Sequence, residues 1–302
     1  VLREAVRKRL DLFLAAGTTS VEAKSGYGLS AEDELRSLEV LADLEDHPVE
    51  MVRTFLGAHE IPQEYRQDRE AYVRLVIETM IPKVASRGLA QYCDVFCERG
   101  VFTEEESRRI FAAAREAGLG LRIHADEFSP SGGSRLAGEF RAVSADHLVA
   151  IDEEGMDALL RGGVIATLLP GTSFFLNLDH DAPARTLIER GSPVALATDF
   201  TPGSSMTHVM PFILTLACLR LGMTPAEAIT AATINGAAAI ERQDEIGTLE
   251  AGKQADLVVM AVPNYRHIPY HFATNHVRFT VKKGRVYERK ETMSSWREPL
   301  EA

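Results

Sequence analysis

The chain has 302 residues, 45% apolar and 25% charged, with a formal net charge of -11. That length exceeds the needs of one small domain and suits one large barrel plus an appendage. The acidic balance repels phosphate and argues against nucleic acid as a partner. No apolar run approaches the roughly 20 residues that cross a bilayer, so no membrane partner is expected.

Three cysteines, Cys93, Cys97 and Cys218, form no C-x-x-C pair. Their odd number disfavours a disulfide framework, and a reducing cytoplasm is the expected compartment. Cys93 and Cys97 share a face of a strand-like run and read as packing residues.

The chain opens at Val1 inside an amphipathic pattern. Leu2, Val6, Leu10 and Leu14 repeat at helical spacing, and Gly17 is placed to end the helix. A start in mid-helix reads as that of a fragment. Seven short apolar or β-branched runs follow, at residues 18–24, 49–59, 91–98, 119–127, 142–148, 163–171 and 192–200. Helical stretches separate them. The stretch after Thr103 has Glu106 spaced for a capping box, and Asp152 is placed as an N-cap. Strands alternating with helices predict a parallel sheet joined by right-handed crossovers. Seven is one short of a closed (β/α)8 barrel. A doubly wound open sheet is the alternative, but no G-x-G-x-x-G turn follows any strand.

Beyond residue 205 the pattern changes. Two helices are expected, the second running from Thr224 to about residue 240 with Pro225 in its first turn. A strand within 246–259 and a hairpin around Lys283-Gly284 then predict part of a small β domain. The expected division is a barrel over 1–245, a small β-sandwich portion over 246–287 and a polar tail over 288–302.

His59, His124, Glu127, His147 and Asp199 all fall at the C-terminal ends of predicted strands, the face that carries the active site in barrels. A rigid strand end fixes the ring of His124 as a metal ligand should be fixed, and Glu127, three residues on, reaches a metal-bound water. Asp199 ends the apolar run VALATD, where a carboxylate is costly unless paired or metal-bound. It reads as a ligand or proton acceptor, with helix N-capping as the alternative. His147 reads as a ligand, as a holder of the attacking water or oxyanion, or as a structural partner of Asp146. His59 follows Gly57, which lets the backbone turn into its loop, and reads as a substrate contact. Tyr27, between Gly26 and Gly28, offers a hydroxyl to substrate. Lys24 reads as structural, with pairing to a carboxylate as the alternative. The loops at Gly132-Gly133 and at Thr201, Pro202, Gly203 and Ser204 offer backbone amides to a carbonyl or carboxylate. Histidines 47, 180, 208, 267, 271 and 276 lie away from the strand ends.

A His-x-x-Glu after one strand, a histidine after the next and an aspartate after the last resemble the amidohydrolase superfamily. KSGYGL (24–29), TFLGAH (54–59), HADEF (124–128), SADHL (144–148), LLPG (168–171), ATDFTPGS (197–204) and GTLEAGKQADLVV (247–259) are similar to the blocks of the imidazolonepropionase family, in its order. The last block is shared widely in the superfamily. The resemblance implies a TIM-type (β/α)8 barrel lacking its first strand here, beside a small β-sandwich. It implies hydrolysis of 4-imidazolone-5-propanoate to N-formimino-L-glutamate in histidine degradation. It implies His124 and Asp199 as metal ligands, Glu127, His147 and Asp199 as catalytic groups, and Tyr27, His59, Glu127, Thr201, Gly203 and Ser204 as substrate contacts. It further implies one metal ion, zinc or iron, and a homodimer. Family members usually carry Asn at the position of Thr201, which lacks the amide donors. The superfamily's His-x-His occurs nowhere in this sequence. An arginine-bearing segment for the substrate's carboxylate also belongs upstream, with on the order of a hundred residues absent, about one βα unit plus half the sandwich. The run QYCDVFCE has no bridging lysine, which favours one metal over two. Nitrogen and oxygen ligands also suit manganese. The alternatives are another amidohydrolase acting on a cyclic amide or amidine, of the aminopyrimidine or guanine deaminase type, or an inactive partial domain.

Overall fold

The computed structural model describes residues 1–288. Helix α1 (Leu2–Ala15) leads into β1 (Ser20–Lys24), and α2 (Ala31–Ala42), capped by Ser30, leads into β2 (Glu50–Ala58). The next helical stretch is α3 (Arg69–Leu75) joined to α4 (Ile81–Ser86) through a π-helical turn at Val76–Met80. Pro82 explains the interruption, because it has no N–H to give the carbonyl four residues back. Then β3 (Tyr92–Cys97) precedes α5 (Glu104–Glu116), whose Thr103–Glu106 capping box forms as its spacing predicts. The alternation continues with β4 (Gly120–Ala125), α6 (Gly133–Glu139), β5 (Ser144–His147), α7 (Glu153–Gly162) on its Asp152 cap, and β6 (Ile165–Leu168). Helices α8 (Pro170–Phe175) and α9 (Ala184–Glu189) lead to β7 (Val194–Leu196).

Each of the seven expected strands forms, and each pairs in parallel with the next in the order β1-β2-β3-β4-β5-β6-β7. The sheet curls. Lys24 on β1 touches Asp94 on β3 and Asp146 on β5 at 2.5 and 2.6 Å. Four strand spacings in a flat sheet would separate β1 from β5 by about 19 Å. Among the described residues β1 and β7 remain the two edges. One continuous apolar cluster, including Phe55, Val95, Ile123, Leu136 and Leu159, fills the space between sheet and helices.

Helix α10 (Met210–Leu219) comes next. The single helix expected from Thr224 to about residue 240 is two, α11 (Pro225–Ala232) and α12 (Ile234–Ala239), broken at Thr233. The break has a local purpose: Asn235 Nδ2 donates to the Val194 carbonyl on edge strand β7 at 2.8 Å. A buried carbonyl there needs a partner, and no neighbouring strand supplies one.

Strand β8 (Leu257–Met260), the short helix α13 (His267–Tyr270), β9 (Val277–Lys282) and β10 (Arg285–Glu288) complete the described chain. The three strands form an antiparallel sheet in the order β10-β9-β8, with the hairpin at Lys283-Gly284 where both residues have positive φ. Lys282, 3% exposed, docks this sheet on the barrel by pairing with Glu50 at 2.6 Å and Asp256 at 2.5 Å. Of the expected polar tail, residues 289–302 lie outside the described residues. No helix among the described residues is long and apolar enough to cross a membrane.

Candidate active site

Parallel strands aim their C-terminal ends at one face, and three of those ends carry an unusual backbone. Asp126, His147 and Asp199 adopt left-handed conformations, with φ of 50°, 74° and 50°. For non-glycine residues such a conformation costs on the order of 1–3 kcal/mol and clusters at functional sites. Strand β7 stops at Leu196, short of the expected residue 200, and the left-handed Asp199 lies beyond its end.

These ends open into a cavity of about 1400 Å³. Tyr27, His59, His124, Glu127, His147, Asp199, Thr201, Gly203 and Ser204 all line it, so the fold brings these expected site residues together, while the Gly132-Gly133 loop lies outside the lining. The rings of His124 and His147 lie 5.4 Å apart, and those of His59 and His124 6.2 Å. His147 Nδ1 lies 3.5 Å from Glu127 Oε1. Asp146, the alternative partner for His147, is committed to Lys24 instead.

Burial governs the charges. It pushes Glu127 up to about 7, with the carboxylates of Asp199 and Glu98 adding to the rise against the pull of His124. Burial pushes His147 down to about 4, so its imidazole is neutral at pH 7. For His124 burial opposes the charged ring, yet the adjoining Asp94 carboxylate outweighs it and the pKa rises. His59 is lowered by burial and by the nearby His124. The site therefore holds a carboxyl poised near neutrality beside an imidazole that stays unprotonated, the arrangement acid–base chemistry requires.

The loops position the remaining groups. His59 Nδ1 donates to the Gly26 carbonyl at 3.0 Å, and the Tyr27 ring meets the His59 ring edge-on at 4.8 Å. The Tyr27 hydroxyl reaches Thr201 Oγ1 at 2.7 Å. Thr201 pairs with Ser205 across a tight turn through Gly203. Thr172 Oγ1 donates to Asp199 Oδ2 at 2.5 Å, leaving Oδ1 for another partner.

Two expectations change. The amides after Gly132-Gly133 do not face a ligand, because the Asp126 carboxylate takes those of Ser131, Gly132 and Ser134 at 2.8, 3.1 and 3.2 Å. Gly57 is required by packing rather than by a turn. A Cβ there would sit 2.3 Å from the Phe55 ring, and its φ is not positive.

Asp94, fully buried in the middle of β3, is not among the residues expected from the strand ends. Its signal in the sequence is an ionisable residue inside the apolar run YCDVFC. Asp94, His124 and Asp146 present ligand-type atoms within 4.8 Å of one another. The Lys24 ammonium already occupies the position between the two carboxylates. That leaves His124 Nε2 as a nitrogen donor, because Nδ1 is engaged by Asp94 at 3.0 Å, and Asp199 Oδ1 as an oxygen donor, both on residues that line the cavity.

A model of the amidohydrolase family matches residues 1–287. The imidazolonepropionase of Geobacillus kaustophilus (strain HTA426) is 55% identical over 286 residues, covering 94% of this chain and 67% of its own length. That of Alkaliphilus metalliredigens (strain QYMF) is 52% identical, covering 94% and 68%. The chain thus spans about two thirds of the length of these relatives. Among solved structures, 5-methylcytosine deaminase from Klebsiella pneumoniae liganded with phosphonocytosine matches with a TM-score of 0.75 at 17% identity, covering 98% of this chain and 78% of that one. Guanine deaminase from C. acetobutylicum matches at 0.72 and 14%, covering 94% and 75%. At such identities these structures speak for the barrel fold alone. With half of its residues identical to theirs and the expected polar groups gathered in one cavity, the chain belongs to the imidazolonepropionases of the amidohydrolase family.

Proposed function

We propose that the cavity is the site at which 4-imidazolone-5-propanoate is hydrolysed to N-formimino-L-glutamate in histidine degradation. The observation that carries this reading is the meeting of His124, Glu127, His147 and Asp199 in one cavity of a chain about half identical to imidazolonepropionases. His124, through Nε2, and Asp199, through Oδ1, would hold one zinc or iron ion on a barrel carried by residues 1–245, beside the small-sheet portion at 246–287. Bound there, the ion supplies Lewis acidity toward water and the ring carbonyl.

The protein's own residues do the rest. Asp199 takes the proton of the attacking water, and the neutral His147 holds that water or the developing oxyanion by a hydrogen bond. Glu127, with a pKa of about 7, contacts the ring nitrogens and delivers a proton to the nitrogen that leaves. Tyr27, His59 and the turn of Thr201, Gly203 and Ser204 orient the ring and its tail. The assembly is proposed to be a homodimer in the cytoplasm.

The test is the loss of imidazolone absorbance by metal-loaded protein and by its Asp199→Ala variant. A fall of about 10²–10⁴-fold is expected in the variant, the usual weight of a lost acid–base group. Near-native turnover there would overturn the assignment. Release of ammonia from an aminopyrimidine or guanine, with no action on the imidazolone, would overturn the substrate.

A further inference from the structure

A connected set of charges runs from the cavity lining, at Lys24, His124 and Asp146, to Asp94 behind it. His124 Nδ1 is 3.0 Å from Asp94 Oδ1. The other oxygen of Asp94 accepts from Lys24 Nζ at 2.5 Å, and Lys24 Nζ also donates to Asp146 Oδ2 at 2.6 Å. Asp146 Oδ1 accepts from Ser144 Oγ at 3.1 Å. Strand register explains the convergence. Phe96 pairs with His124 and His124 with Asp146, so Asp94, His124 and Asp146 point to the same inner face at alternate positions. Asp94 is fully buried and Asp146 is 4% exposed.

We propose that Asp94 is a positioning residue that sets which nitrogen of His124 faces the cavity, and that Lys24 holds Asp94 in that role. An ionised carboxylate only accepts hydrogen bonds, so its partner Nδ1 must carry the proton and Nε2 must carry the lone pair. A metal-bound histidine commonly depends on such an outer carboxylate for its tautomer and ring direction. Lys24 adds a constraint of its own. Its ammonium only donates, so whatever replaces Asp94 must turn an oxygen toward Lys24. This inference rests on the reading of His124 as a metal ligand, but it concerns the ring's proton and can be examined without metal.

The Asp94→Asn substitution separates the possibilities. It keeps the shape, but its single oxygen is claimed by Lys24, so its NH₂ faces His124 Nδ1 and should drive the proton to Nε2. Long-range ¹H–¹⁵N spectra of ¹⁵N-histidine-labelled, metal-free chain at alkaline pH, with the signal assigned by His124→Gln, read the tautomer directly. The wild-type chain should show His124 protonated on Nδ1, and the Asp94→Asn variant should show it on Nε2. In the double variant Asp94→Asn, Lys24→Met the amide is free to turn either way, and the uniform Nε2 protonation of the single variant should be lost. A wild-type His124 protonated on Nε2, or an unchanged tautomer in Asp94→Asn, overturns the proposal, and the wild-type spectrum alone can do so even if a variant fails to fold. Zinc titration then separates the two readings. Weakening by roughly 10–100-fold in Asp94→Asn is expected. An inverted tautomer with unchanged zinc affinity would leave the positioning role intact and overturn His124 as a ligand.

Discussion

The Tyr27 hydroxyl lies 2.7 Å from Thr201 Oγ1, joining the loop after the first strand to the loop after the last, 174 positions further on. In a sheet whose edges are those two strands, this is a direct polar link across the opening. Tyr27 is 66% exposed, so water competes for the bond. A double-mutant cycle of Tyr27→Phe and Thr201→Val, read by denaturant unfolding, should give a coupling of about 0.5 kcal/mol, the low end for a neutral hydrogen bond. Additive single effects would show that the loops are held independently.

Asp126 carries more. Its buried carboxylate serves three backbone amides and the Ser131 hydroxyl, organising the start of α6. Asp126→Ala would leave those amides without partners, with Gly132 and Ser134 buried away from water and Ser131 half-buried. A loss of at least about 3 kcal/mol in unfolding free energy is expected, because an unsatisfied buried group costs about 1–3 kcal/mol. A loss under about 1 kcal/mol would mean that water or a neighbour replaces the carboxylate.

Helices α6 and α7 touch at Gly138, where a Cβ would lie 2.3 Å from the Ala158 carbonyl oxygen. The obstacle is backbone, which cannot move aside as a side chain can. Gly138→Ala should therefore destabilise by about 1–3 kcal/mol despite alanine's higher helix propensity. Calorimetry should show a lower Tm, and an unchanged one would show that the two helices can separate at little cost.

Acid sensitivity follows from His147. Its folded-state pKa is about 4, against 6.5 for the ordinary ring. Below the ordinary value the unfolded chain takes up a proton that the folded chain refuses. This contribution is thus fully present above about pH 6.5 and is lost progressively as the pH falls, the loss reaching about 3 kcal/mol near pH 4. Asp94 and Asp146, held low against burial by Lys24 and His124, add to the loss on acidification. Unfolding of wild-type and His147→Gln chains at about pH 7.5 and about pH 4.5 should show the smaller acid loss in the variant. Equal losses would assign the sensitivity to the carboxylates alone.

The small sheet is fastened by a buried charge. Lys282 pairs with Glu50 and Asp256, and Glu50 is drawn down to about 2, the two lysine partners overcoming its burial. Lys282→Met would take the ammonium partner from the buried Asp256 carboxylate, while Glu50 keeps Lys283, and should cost about 3 kcal/mol. Protease cleavage within 250–288 is expected to rise sharply. Unchanged resistance would locate the docking energy in the apolar contacts.

Much of the site was legible because strand-end residues are marked by what precedes them. His124 and Asp199 stand out as polar groups closing apolar runs, and that contrast is local. Asp94 and Lys24 were less legible, because a buried charge in mid-strand has meaning only once its partners are known. Those partners lie 70 and 122 positions from Lys24. The single helix expected from Thr224 to about residue 240 divides for the same kind of reason: the demand for Asn235 comes from a carbonyl on β7.

The sequence by itself determined the alternation of strands and helices, the capping of α5, α7 and α11, and the face on which the polar strand ends would gather. Each is set by periodicity or by residues within a turn of one another. The tertiary structure alone decided that Asp126 fills its own amide nest, that Lys24 bridges two carboxylates and that Asp94 holds His124. Those outcomes depend on the curl of the sheet, which brings β1, β3 and β5 within hydrogen-bonding reach although no short stretch of sequence encodes their meeting.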